Sequence, residues 1–166
     1  MRRLVLAVAA LVLLAASCSD VKLPDSTQSG QGWRLLGEGG VGTPNSVDVF
    51  DERTYLQRWS IDENPPAVDY ENEIVVRFSP ATRSGSKACQ ETRLDDVVID
   101  NANAVVYPVY KQVKAEGCKD PVRAYPFMVS LVRAALPERF TLQVSQNPPG
   151  GDIGAGATME VTTANY

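Results

Sequence analysis

The sequence predicts a mostly β fold: a small antiparallel β-sandwich or open barrel with one short α-helix covering an end. Three observations carry this expectation. Segments rich in β-branched and aromatic residues follow one another from residue 33 to about residue 144. Clusters of Asn, Asp, Gly and Pro separate them, as turns require. Only one stretch carries a full set of helix-start signals, and no internal repeat is evident.

Taken in order, Trp33, Leu35 and Leu36 mark a first strand that ends at the glycine-filled "GEGGVGTPN". Val47 and Val49 alternate with Ser46 and Asp48, the period-2 pattern of a second. "FDERTYLQRW" then starts a helix, with Asp51 as N-cap, Glu52 at the positive end of the dipole, and Phe50 and Tyr55 at the two staple positions. Tyr55, Leu56 and Trp59 fall on one helical face, and "SIDENPP" stops the helix after about two turns. Ile74, Val76 and Phe78 alternate with Glu73, Val75 and Arg77. "LDDVVID" and "AVVYPVYKQV", joined by the turn-forming "DNAN", read as a long antiparallel hairpin. "AYPFMVSLVRAAL" and "RFTLQV" are two further strands joined through Pro137-Glu138, and Pro108 and Pro126 imply bulges or edges where they interrupt a strand. The domain therefore spans 33–145. A polar stretch with Pro, Gly and Ser over 18–32 reads as a flexible tether. A Gly-, Pro- and Thr-rich stretch over 146–166 reads as a mobile tail, with a late edge strand at "TMEVTT" as the alternative.

Residues 1–17 have the organisation of a signal peptide: Arg2 and Arg3, an apolar run from Leu4 to Ala16, then small residues. The run is shorter than the roughly 20 residues that span a bilayer. Ala15-Ala16-Ser17-Cys18 resembles the lipobox of bacterial lipoproteins, with Ala15 where leucine is more usual. The resemblance implies that the Cys18 thiol receives a diacylglycerol, becomes the new N-terminus after cleavage and, with fatty acyl chains such as palmitate, holds the protein at a cell membrane or outer membrane, facing away from the cytoplasm. Acylation of Cys18 leaves Cys89 and Cys118 as an even pair among three cysteines, as an oxidising compartment favours. A Cys89–Cys118 disulfide closes the open end of the predicted hairpin, which on a chain-entropy basis stabilises by roughly 3–4 kcal/mol.

Composition removes whole classes of activity. The chain has no histidine, which excludes Ser-His-Asp and Cys-His catalysis and the commonest zinc ligand. Cleavage before Cys18 deletes two arginines and no acid, leaving 14 basic against 20 acidic side chains, a net charge of −6. Such a surface is a poor partner for nucleic acid. Asp62, Glu63, Asp69 and Glu71, or Asp95, Asp96 and Asp100, offer carboxylates for glycoside chemistry, which needs a pair roughly 5–9 Å apart. Their setting in loops and turns favours solvated charge. "DNAN" with Asp95 or Asp96 lacks the spacing of a calcium loop, and "PPGGDIGAG" lacks the flanking strand, helix and Lys-Ser/Thr of a phosphate loop. No metal, cofactor or catalytic residue is therefore assigned. Arg77, Arg83 and Lys87 gather positive charge around the loop Ser79 to Lys87 and are the residues expected to contact a partner. Trp33, Trp59, Tyr107, Tyr110 and Tyr125 carry the periodicity of core residues rather than of a stacking platform.

From about residue 45 to 144 the order of strand, "DERTYLQRW" helix, "PPAVDYENEIVVRF", polar loop and long hairpin resembles the PrcB-type domain of bacterial secreted and protease-associated proteins. Asp69-Tyr70 and Ile74 to Phe78 carry the likeness, and "ATRSGSKAC" stands where that family has a Thr-Gly-Gly-Tyr loop. The resemblance implies an all-β binding or partner-stabilising module. The sequence thus points to a lipid-anchored, non-catalytic module contacting an envelope protein, against the alternatives of a carboxylate-dependent hydrolase or a carrier of a small apolar ligand.

Overall fold

The computed structural model describes residues 21–22, 29–40, 42–59, 64–83, 90–114, 122–144 and 158–166. In chain order the strands are β1 (Val21–Lys22), β2 (Ser29–Gly30), β3 (Trp33–Gly39), β4 (Ser46–Phe50), β5 (Glu73–Ser79), β6 (Ala81–Arg83), β7 (Gln90–Asp100), β8 (Val105–Lys114), β9 (Val122–Ala124), β10 (Phe127–Val132), β11 (Arg139–Gln143) and β12 (Thr158–Thr162). The helix α1 is Glu52–Leu56.

Two sheets pack face to face. The larger runs β1-β3-β10-β5-β4, with β2 also paired to β3, and the smaller runs β12-β11-β8-β7. Pairing is antiparallel except between β8 and β11, which run parallel. Between the sheets lies the main core. Trp33, Leu35, Val47, Ile74, Val76, Phe78, Phe127, Val129 and Leu131 come from the larger sheet, and Leu94, Val97, Val106, Phe140, Leu142, Val144 and Val161 from the smaller side. Trp33 also ties the sheets through a polar bond, its Nε1–H donating to Asp96 Oδ1 at 2.8 Å. The described residues form the predicted sandwich, mostly β with one short helix, and among them the sheets do not close into a barrel.

Several elements differ from their sequence reading. The helix lies on the outer face of the larger sheet rather than at an end of the sandwich. There Tyr55 and Trp59 join Leu36, Phe50, Val75 and Met128 in a second buried cluster. Leu56, expected on the same face, is 51% exposed, because α1 stops at Leu56 and Trp59 reaches the cluster from beyond the helix. β10 and β11, read only as successive strands, lie in different sheets. Both edges of β10 are already taken by β3 and β5, so the chain leaves through a 3-10 turn at Arg133–Ala135 and crosses to the other sheet. The tether reading of 18–32 fails for the paired segments: Val21–Lys22 meets Gly39 and Glu38, and Ser29–Gly30 meets Arg34 and Trp33. Gly32 makes the second contact possible, since its φ of +83° and the 2.8 Å from a would-be Cβ to Ala135 Cβ both exclude a side chain. The tail reading of 146–166 is corrected for its last nine residues, where β12 pairs with β11 along its whole length and a 3-10 turn follows. The edge strand wins because Val161 is buried in the main core. Pro126 falls in the break between β9 and β10. Pro108 lies beyond the two residues at which β8 pairs with β11.

Candidate functional site

The larger sheet is buried on both faces, and the outer face sets the site. Period-2 alternation sends Arg34 and Leu36 of β3, Met128 and Ser130 of β10, Glu73, Val75 and Arg77 of β5, and Asp48 and Phe50 of β4 outward. Apolar side chains hold the middle of this face, and an ion pair stands at each end. Asp48 Oδ2 accepts from Arg77 at 2.7 Å, and the guanidinium carbons of Arg77 and Arg58 lie 5.2 and 5.4 Å from the centre of the Phe50 ring. At the other end Glu73 is a hub: Arg34 donates through Nε and Nη2, the Asp69 amide and Ser130 hydroxyl also donate, and Arg34 reaches on to the Ala67 carbonyl. The Arg34 bonds hold the Glu73 carboxyl down to about 2, against the opposing effect of burial.

The cap over this face is short and locally specified. Asp51 accepts from the Thr54 amide and hydroxyl, the N-cap expected of its sequence position. Tyr55 donates its hydroxyl to the Pro66 carbonyl and meets Trp59 and Tyr70 edge-on, with centroids 5.8 and 6.5 Å away. Asp69 caps the following turn, accepting from the Glu71 amide and the Asn72 side chain.

Where the cap meets the sandwich edge, a groove of about 460 Å³ opens. Buried and half-buried Val49, Phe50, Ile74 and Tyr70 give it an apolar floor, Asp51 and Glu52 with Thr54 form an exposed rim, and Asn165 and Tyr166 of the last turn complete the lining. Arg133 closes the back, donating to the carbonyls of Thr163 and Tyr70. Two polar atoms in the lining, Tyr70 Oη and Arg133 Nε, are buried without a hydrogen-bond partner. The Tyr70 hydroxyl is held well above its usual pKa, first by burial and then by Glu52, Asp51 and Glu73. It is a neutral donor at any physiological pH.

The residues singled out in the sequence fall elsewhere. Arg77 is 7% exposed and engaged with Asp48. Ser79 is buried, and the stretch read as a loop from Ser79 to Lys87 begins as strand, because Ala81–Arg83 pairs with Val122–Ala124. Arg83 ends that strand; Lys87, Cys18, Cys89 and Cys118 lie outside the described residues, as do Asp62 and Glu63. Asp96 serves Trp33 and the Val97 amide, and Asp100 holds the hairpin turn through Ala102 and Asn103. Among the described residues no three His, Cys, Asp or Glu side chains gather as a metal site. None of the described helices is long and apolar enough to cross a membrane. The groove itself was not legible in the sequence, since its walls come from four distant segments; Phe50, Asp51 and Glu52 signalled a helix start and Val49, Glu73 and Ile74 signalled strands, and none of these patterns shows a groove. No protein family, no curated protein and no solved structure matches this chain.

Proposed function

We propose that this chain is a contact module of the bacterial cell envelope, tethered to a membrane through an acylated Cys18 and binding a partner through the groove between α1, Tyr70 and the last turn. The observation that carries the binding reading is the groove: a largely apolar lining beside hydrogen-bonded walls, with the carboxylates of Asp51 and Glu52 exposed at its margin. The described carboxylates support contact over catalysis. Glu73, Asp69, Asp96 and Asp100 each accept bonds that hold the fold together, and Glu73, Asp69 and Asp100 are shifted toward the ionised form. A general acid needs the opposite shift. The Cys89–Cys118 disulfide belongs to the same proposal. What supports it is the pairing of described residues on either side of each cysteine, Arg83 with Val122 and Gln90 with Lys114.

Two measurements test this reading. Cys18→Ala is expected to remain unprocessed or to leave the detergent phase; unchanged processing and partitioning contradict the anchor. For the groove, a photo-crosslinking p-benzoylphenylalanine at Tyr166 is expected to yield a discrete adduct in cells, whereas the same group at Lys111, on the exposed face of the smaller sheet, yields none. Identical adducts from both positions, or none from either, contradict binding through the groove.

A further inference from the structure

Resting on that reading, we infer that the groove takes the side chain of a lysine or arginine from an extended segment of a partner polypeptide. Three features of the lining converge on it. Asp51 and Glu52 are exposed carboxylates on one rim, and Glu52 has no hydrogen-bond partner among the described residues. The floor of Val49, Phe50, Tyr70 and Ile74 is apolar along the approach to them. A basic side chain is the one natural group that matches both, since its methylene stem covers apolar surface while its head stays with charge and water. The third feature is Arg133. Its Nη groups are spent on the carbonyls of Thr163 and Tyr70, so no ion pair with Arg133 takes up the charge of Asp51 and Glu52.

The charges of the lining agree. Glu73 is neutralised by Arg34, so Asp51 and Glu52 stand against Arg133 alone, with their negative field felt at the Tyr70 hydroxyl. A neutral apolar ligand gains nothing from that rim, and an acidic one is repelled by it. The whole chain is acidic as well, with a net charge of −4 before any processing, which steers basic segments toward it.

The test is an NMR titration of the purified domain with N-acetyl-Leu-Lys-Leu-amide, its arginine and norleucine counterparts, and spermidine. The lysine and arginine peptides are expected to give saturable shifts at the amides of 49–54, 73 and 165, with norleucine bound about tenfold more weakly. An Asp51→Asn, Glu52→Gln double variant keeps an N-cap acceptor for Thr54, so its spectrum stays folded while the preference for a cation shrinks to about twofold. Equal binding of norleucine and lysine peptides overturns the inference in favour of a plain apolar groove. Spermidine binding as tightly as the peptides overturns the polypeptide part of it. If Tyr166 still crosslinks in cells but neither basic peptide binds, the groove is a contact site whose occupant is not basic, and this inference fails while the proposed function stands.

Discussion

The larger sheet has two cores, one on each face, and they are not built alike. The inner core is closed by a second sheet whose strands are themselves paired, so each side of it has its own hydrogen-bonded frame. The outer core is closed by a five-residue helix and the irregular stretch 64–72, neither of which is a stable structure alone. Isolated helices shorter than about 12–15 residues are marginal in water. Tyr55 and Trp59 are therefore held by the sheet more than the sheet is held by them. The lesson is one of dependence: the inner core makes the domain, and the outer core, with the groove at its margin, is mounted on it.

The largest effect expected from this asymmetry is global. Phe127 is fully buried in the inner core at the start of β10, the central strand of the larger sheet, and Phe127→Ala is expected to cost about 3–5 kcal/mol. That is a large share of the roughly 5–15 kcal/mol typical of a domain. Urea unfolding should then shift as one transition at both cores. Loss of the inner core with survival of the outer one would reverse the hierarchy.

Next comes the outer core. Tyr55→Ala removes a 2%-exposed ring, its contacts with Trp59 and Tyr70 and the bond to Pro66, a truncation worth about 3 kcal/mol. The loss is expected to appear as local opening. The two tryptophans, one in each core, separate the cases: Trp59 emission moves to the red, while Trp33, followed in a Trp59→Phe background, stays where it was.

A smaller effect sharpens the link between the cores. Glu73 ionises at about 2 rather than its ordinary 4.5, so its contribution is complete above about pH 4.5 and drains away as pH falls toward 2. Glu73→Gln is expected to cost roughly 1.5–3 kcal/mol at neutral pH, as the loss of bonds to a charged group does. Its stability should also decline less steeply with acid than that of the wild type; parallel acid profiles would show that the Arg34 pair contributes nothing. Smallest of all, Leu56→Ser should change stability by no more than about 0.5 kcal/mol, because Leu56 lies outside the cluster its spacing suggested. A drop of several times that size would return it to the core.

Much of this fold can be read from local pattern. The Asp51 cap, the Asp100 turn and the alternation in β4 are short-range features that the chain spells out over a few residues. The second core was legible only in hindsight. "IVVRF" and "FMVSLV" are nearly continuous apolar runs, and such runs mark strands buried on both faces. Alternation of Ile74, Val76 and Phe78 hid the equally buried Val75 and Arg77 between them. The crossover after β10 and the pairing of β12 depend on which strand edges are already occupied, and no window of sequence contains that information. The groove is less legible still, because Tyr70, Arg133 and Tyr166 meet only through tertiary packing.

Native-state hydrogen exchange on the unmodified domain tests the dependence of one core on the other most directly. The amides of Thr54 to Trp59 should open with a free energy clearly below that of the inner strands β5, β10 and β11, and with a weaker dependence on denaturant, as a sub-global unit does. Cap and sheet amides merging into one isotherm with equal free energies and equal slopes would mean that the two cores fold as one, and the account of a groove mounted on a dependent core would be contradicted.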